Sequence, residues 1–122
     1  MARILVIDDD IAVRLTVQLA LEQAGHEVIC ASDGNEGLRV FASAAPQLVV
    51  TDIIMRDQDG IETIAQIRGR DAKIPILAIS GGGRVGNADF LKIAIKRGAN
   101  EVLSKPFERE DLTAAVNRLL LV

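Results

Sequence analysis

Five short apolar runs, spaced along 122 residues with helical patterns between them, leave few architectures open. The runs are "ILVI" (4–7), "EVICA" (27–31), "QLVV" (47–50), "IPILAI" (74–79) and "EVL" (101–103). The first, third and fourth are apolar without a break, which is how strands buried on both faces of a parallel sheet read. Between the runs, apolar residues step at helical spacing. Val13, Val17, Ala20, Leu21 and Ala24 form one set, with Gly25 placed to end it. Leu38, Phe41, Ala42 and Ala45 form a second, behind Asp33 and Glu36 in capping-box positions. Asp59 and Glu62 open a third, which carries Ile61, Ile64 and Ala65. Phe90, Leu91, Ala94 and Ile95 mark a fourth, closed by Gly98. Leu112, Ala115, Val116, Leu119 and Leu120 make a fifth. Strand followed by helix, five times over, with right-handed crossovers, predicts an α/β chain with one parallel sheet and helices on both faces. The length is that of one domain, residues 1–122, able to bury a full core.

Composition narrows the function classes. An apolar fraction of 49% is globular, and a net charge of -3 argues against a bulk binder of nucleic acid or anionic membrane. The apolar stretch of "MARILVIDDD" is too short for a signal peptide or a membrane span, so a cytoplasmic protein is expected. Cys30 is the sole cysteine; it allows no internal disulfide and reads as a small core residue. Three Phe with no Trp or Tyr leave little to stack on bases or on a nicotinamide ring. Acidic residues cluster in "DDD" and "DQD", which points to a cation site.

Ligands of such folds bind beyond the carboxyl ends of the strands. Asp8, Asp9 and Asp10 follow the first run, and Thr51 and Asp52 the third. Ser80 follows the fourth, and Ser104, Lys105 and Pro106 the fifth. The second ends in Ala31 and Ser32 and offers no charge. Carboxylates, one hydroxyl and one ammonium therefore converge on one edge of the sheet. Like charges in one site raise one another's pKa, and a hard divalent cation removes that conflict. Mg2+ suits a few carboxylates, several waters and a phosphate oxygen. An ionised Asp beside a metal and a lysine is arranged to accept a phosphoryl group, with the Ser80 hydroxyl donating to one of its oxygens.

With these residues in place the chain resembles a response-regulator receiver domain over essentially its whole length. The matches are Asp8–Asp9 in "VIDDD", Asp52 in "VVTDIIM", Asp59–Gly60, Ser80 followed by Gly81, and Lys105–Pro106–Phe107 in "LSKPF". The resemblance implies a doubly wound, flavodoxin-like fold with five strands in the order 2-1-3-4-5 and five helices. It implies that a histidine kinase or phosphotransfer protein donates a phosphoryl group to Asp52. Mg2+ (or Mn2+) would be held by Asp9 and Asp52 directly, by Asp8 mostly through water, and by the backbone carbonyl of Ile54. Lys105 would pair with Asp52 and then with the phosphoryl group, and its bond to Pro106 is often cis in the family. Ser80 and Gly81 would carry the switch toward Val102 and Pro106. A downstream protein would read helix 4, strand 5 and helix 5, where Ile93 widens the apolar arc. Neither direct nucleic-acid nor membrane contact is implied, and the chain would be a monomer or weak dimer. Enzymatic activity would not go beyond Mg2+-dependent self-phosphorylation and slow autodephosphorylation.

Three positions depart from the family pattern. Val102 stands where strand five usually carries Tyr or Phe, Arg56 replaces the usual proline, and Ile54 is apolar where the residue often tunes access to the phosphoryl group. Two neighbours of the site read as ordinary: Asp10 as the cap of the first helix and Asp57 as a solvated charge. His26 lies in a turn at the far end and reads as structural.

Gly81, Gly83 and Gly86 in "AISGGGRVGN" fit G-x-G-x-x-G. That fingerprint belongs after a first strand, with an acid about 20 residues on, so here the glycines read as a switch loop rather than a nucleotide site. Two competing classes remain. One is an aspartyl-nucleophile phosphohydrolase, because "DDD" contains D-x-D, although no substrate cap is visible. The other is a binding-only pseudo-receiver, against which the full acid set and Lys105 argue.

Overall fold

The structure, a computed structural model, describes residues 2–53, 60–80 and 87–121, and for 87–91 the backbone alone. Strand and helix alternate: β1 (Arg3–Ile7), α1 (Ile11–Gln23), β2 (Glu27–Ala31), α2 (Gly34–Ala44), β3 (Leu48–Asp52), α3 (Gly60–Arg70), β4 (Ile76–Ser80), α4 (Asn87–Arg97), β5 (Glu101–Ser104) and α5 (Arg109–Leu120). The strands pair in parallel in the order β2-β1-β3-β4-β5. The uninterrupted apolar runs form the three central strands, and β3 and β4 are buried at every position. The edge strands β2 and β5 are half-buried, as fits their mixed sequences.

Alternation along the strands splits the core into two layers. Ile4, Val6, Val50, Leu77 and Ile79 face α1 and α5, where Val17, Leu21, Leu112 and Val116 complete the packing. Leu5, Ile7, Val49, Ile76 and Ala78 face the other way, onto Leu38 of α2, Ile61, Ile64 and Ile67 of α3, and Ala94 of α4. Three helix ends carry a left-handed residue: Gly25 (φ 95°) follows α1, Ala45 (φ 50°) caps α2 and Gly98 (φ 131°) follows α4. Arg68 seals the end of α4. It donates to the Gly98 carbonyl through Nε and Nη2, to Asn100 Oδ1 and to the Asp71 carbonyl.

Several sequence expectations change in detail. Cys30 is half-buried rather than core, and its thiol reaches Gln18 Oε1 at 3.5 Å. Ala24, Ala42, Ala45 and Ile95 face solvent: Ala24 and Ala45 are the C-caps beyond α1 and α2, and Ala42 and Ile95 lie past the edge of their helices' buried stripes. The second helix is capped on one side only: Asp33 accepts from the Glu36 N–H, but Glu36 turns outward to accept from the Ser32 N–H and hydroxyl. Ile54, Arg56, Asp57, Asp59, Gly81, Gly83 and Gly86 fall outside the described residues, as do the side chains of Phe90 and Leu91.

Candidate functional site

The parallel sheet delivers every strand's carboxyl end to the same edge, and the site is built there. The Asp8 N–H donates to the Ala31 carbonyl (3.1 Å), which extends the β1–β2 pairing by one residue before the chain turns. Asp10 then caps α1, its Oδ1 accepting from the N–H groups of Ala12 (2.9 Å) and Val13 (3.3 Å). Asp52 and Ser80 are the last residues of β3 and β4, and both are buried. The Lys105 N–H donates to the Ser80 carbonyl (2.8 Å), which brings the β5–α5 turn over the end of β4. The Lys105–Pro106 peptide bond is cis.

These backbone anchors bring together five of the residues singled out in the sequence. Lys105 Nζ lies 3.5 Å from Asp8 Oδ2 and 3.6 Å from Asp52 Oδ2, midway between two buried carboxylates. One carboxylate oxygen from each of Asp8, Asp9 and Asp52 lies within 4.8 Å of the others. Ser80 closes the floor beside them, at the end of the strand that pairs Ile79 with Asp52. Asp8 is 2% exposed. Its Oδ1 accepts from the Asp10 N–H at 2.9 Å, whereas its Oδ2 is buried with no hydrogen-bond partner among the described residues. Burial pushes the Asp8 carboxyl above its ordinary value; the Asp10 N–H and Lys105 pull it back in part, and Asp9 adds to the rise.

Three carboxylates thus face one ammonium, and the buried Asp8 Oδ2 has the 3.5 Å ion pair with Lys105 but no other partner among the described residues. That is a donor set for a hard cation of Mg2+ type, which takes carboxylate oxygens and keeps several waters. Ile54, whose carbonyl was expected as a further ligand, and Gly81 lie outside the described residues. Val102 is half-buried on β5 and packs against the α2–α4 layer, opposite Ala78. Pro106 is exposed in the turn that carries Lys105. His26 sits at the opposite end of the sheet, where its Nδ1 accepts from the Ala2 N–H at 3.2 Å.

The sequence reading missed three features. Gly60 packs so closely under the site that a Cβ there would lie 1.9 Å from the Asp52 carbonyl oxygen. Arg14 Nη1 donates to the Asp8 carbonyl at 2.8 Å. On α1, Ile11, Leu15 and Leu19 are 69%, 51% and 50% exposed, an apolar stripe beside the site. Their spacing of four residues was readable, but it was overshadowed by the buried set on the same helix.

A five-stranded parallel sheet of order 2-1-3-4-5, covered on both faces and carrying acids at one carboxyl edge, defines a class of α/β signalling domain. The response regulator receiver domain family matches residues 4–117, and the chain belongs to it. It is 39% identical over 119 residues to the response regulator MprA of Mycobacterium tuberculosis, and 34% identical to the alkaline phosphatase synthesis transcriptional regulatory protein PhoP of Bacillus subtilis. Those matches cover 97% of this chain but 50% and 48% of the relatives, so the chain spans about half the length of the curated relatives it matches. Among solved structures, the receiver domain of NtrX from Brucella abortus superposes with a TM-score of 0.92 at 33% identity, covering 98% of both chains. Among the described residues, no helix is long and apolar enough to cross a membrane.

Proposed function

We propose that residues 1–122 act as one phosphoacceptor unit, with Asp52 as the residue that takes a phosphoryl group from a partner histidine. The observation that carries this reading is Lys105 Nζ held between the buried carboxylates of Asp8 and Asp52 at 3.5 and 3.6 Å. An Asp52 oxygen forms a P–O bond as the donor's P–N bond breaks, and the electron pair returns to the imidazole. Lys105 pairs with the Asp52 carboxylate beforehand and then neutralises charge on the transferring oxygens. The Ser80 hydroxyl is at the right strand end to donate to one of those oxygens. Asp8, Asp9 and Asp52 would hold Mg2+, which supplies charge neutralisation for the phosphoryl oxygens when bound.

The α1 stripe of Ile11, Leu15 and Leu19 supports a docking role for the donor. It adjoins an apolar groove of about 320 Å³ between α1 and the Lys105–Pro106–Phe107 turn, on the same side as Asp52. Output would run through α4, β5 and α5, where Ile93 and Ile95 are exposed and Val102 leaves room for no aromatic switch. Such a unit is a signalling module, working in the cytoplasm through protein partners rather than by turnover of a substrate. Contact with nucleic acid is not part of the reading, since net charge is -3.

The test is intact mass after incubation with a small acyl phosphate and Mg2+. One phosphoryl group should be gained by the native chain, and none by Asp52→Asn or in the absence of divalent metal. Catalytic turnover of a phosphate ester would instead favour the phosphohydrolase reading.

A further inference from the structure

The charges of this chain are sorted in space. Residues 63–100 hold seven Lys and Arg against two Asp, whereas the rest of the chain holds seven Lys and Arg against fifteen Asp and Glu. Asp8, Asp9 and Asp52 meet at the carboxyl edge of the sheet. The crossover helices run back from that edge, so α3 and α4 end at the opposite one. There Arg68 and Arg70 stand in the last turn of α3 and Lys96 and Arg97 in the last turn of α4, with Lys73 in the connection to β4.

Arg68 joins the two exits into one surface. It donates to the Asp71 carbonyl at 3.1 Å, to the Gly98 carbonyl at 3.2 and 2.7 Å and to Asn100 Oδ1 at 3.0 Å. Lys73 lines one small cleft with Asn100, and Arg70 reaches the Leu38 carbonyl of α2 at 3.4 Å. Arg70, Lys73, Lys96 and Arg97 are all exposed, and none has an ion-pair partner among the described residues.

The fold does not call for this cluster. Cations favour helix C-termini, yet α1 and α2 end with no basic residue in the last turn, and Arg68 already serves the end of α4. Lys73 lies outside both helices. The nearby acids are engaged elsewhere: Asp71 Oδ1 accepts from the N–H groups of Lys73 (2.9 Å) and Ile74 (3.1 Å), and Glu101 pairs with Arg118 at 2.8 Å. Four exposed cations on adjoining helix ends repel one another, so an anionic group laid over them is favourable.

We propose that the exits of α3 and α4 form a docking surface for a short acidic segment of a partner protein, engaged by Arg70, Lys73, Lys96 and Arg97. Screening limits these cations to a reach of about 8 Å at physiological salt, so a segment no longer than the patch feels them and is spared the acids of the far edge. A nucleic acid would run past the patch onto a remainder that carries fifteen acids. The surface lies away from Asp52 and does not depend on the phosphoacceptor reading.

The experiment maps amide chemical shifts of the native chain against four probes: a short Glu–Leu peptide, its Gln–Leu counterpart, a single-stranded oligonucleotide of matched charge and vesicles of anionic lipid. The Glu–Leu peptide should saturate, shift amides of residues 68–75 and 95–100, and bind more weakly as salt is raised. Lys73→Glu with Arg97→Glu should bind it at least about tenfold less tightly, read by fluorescence anisotropy. Lys73→Gln with Arg97→Gln replaces that variant if it fails to fold, with a smaller loss in the same direction. Asp52→Asn should bind the peptide as the native chain does. No shift at those amides, an equal response to the Gln–Leu peptide, or tighter binding of the oligonucleotide or the vesicles would each overturn the proposal.

Discussion

Two glycines in one helix should respond to the same substitution with opposite sign. Gly60 opens α3 directly beneath Asp52. A Cβ at Gly60 would lie 1.9 Å from the Asp52 carbonyl oxygen, 2.6 Å from Ile53 Cα and 2.7 Å from Ile53 O, all backbone atoms that no rotamer change can move. The gap must open by over an ångström, against a hydrogen bond of 2.8 Å from the Gly60 N–H to the Ile53 carbonyl. Overpacking costs about 1–3 kcal/mol and the strained hydrogen bond about 1 more, from which alanine's better helix propensity returns up to about 1. Gly60→Ala should thus destabilise by about 2–3 kcal/mol, or roughly 10 °C in melting temperature for a domain of this size. Gly69 sits in the last turn of the same helix with nothing within 4 Å of a built Cβ. Gly69→Ala should stabilise by about 0.5 kcal/mol, since the propensity gain is all that changes. Thermal melts by circular dichroism with matched urea titrations measure both. A Gly60→Ala melt within about 2 °C of the native value would refute the close approach, because the smallest overpacking cost already exceeds that shift. A lowered melt for Gly69→Ala would refute the propensity argument. Because the displaced atom belongs to Asp52, Gly60→Ala should also slow phosphoryl uptake at temperatures where it is still folded.

Burial raises the Asp8 carboxyl, so its contribution to stability is fullest below its ordinary value and is lost as pH climbs through the raised one. Without divalent metal, Asp8→Asn should therefore melt higher than the native chain at neutral pH, and the advantage should shrink toward acid; a lower melt at neutral pH would contradict this. Arg68→Ala removes four donated hydrogen bonds at the α3–α4 junction and should cost about 2–3 kcal/mol in urea titrations, with a change under about 0.5 ruling the clamp out. Ile11→Glu with Leu15→Glu places charges on exposed α1 positions, so stability should stay within about 0.5 kcal/mol. Phosphoryl transfer from a protein donor should fall at least about tenfold in that variant, while uptake from a small acyl phosphate stays unchanged.

Much of this architecture was legible in the residues because period and position agree. Uninterrupted apolar runs at 4–7, 47–50 and 74–79 became the central strands β1, β3 and β4, and the polar residues just past them became the site. What stayed hidden depends on distance in space rather than along the chain. Gly60 was singled out as half of the Asp59–Gly60 match, and only packing reveals that its α-carbon rests on the Asp52 carbonyl. Arg14 drew no reading from the sequence, because side-chain direction on the first turn of α1 is not written in the period, and its bond to the Asp8 carbonyl shows only in space. Glu36 matched a capping box by spacing, yet Ser32 offered an N–H and a hydroxyl together and won the carboxylate. Ile95 carried helical spacing but fell outside the stripe that α4 buries around Ala94.

The cost of the site is concentrated where its use would be. The core is apolar in both layers, and among the described residues the buried polar side chains are Asp8, Thr51, Asp52, Thr63 and Ser80. Three of these five stand at the carboxyl edge around Lys105. A chain selected for stability alone would gain by replacing a buried carboxylate whose Oδ2 lacks a hydrogen bond. Keeping it there means that any added positive charge at this edge is favourable, and that Lys105 is shared by two acids rather than committed to one. Such an ammonium can shift its weight when the charge on Asp52 changes, while the surrounding strands stay fixed. The local conflict would then be the device under the proposed phosphoacceptor reading: it favours added positive charge where the sheet ends and the turns begin.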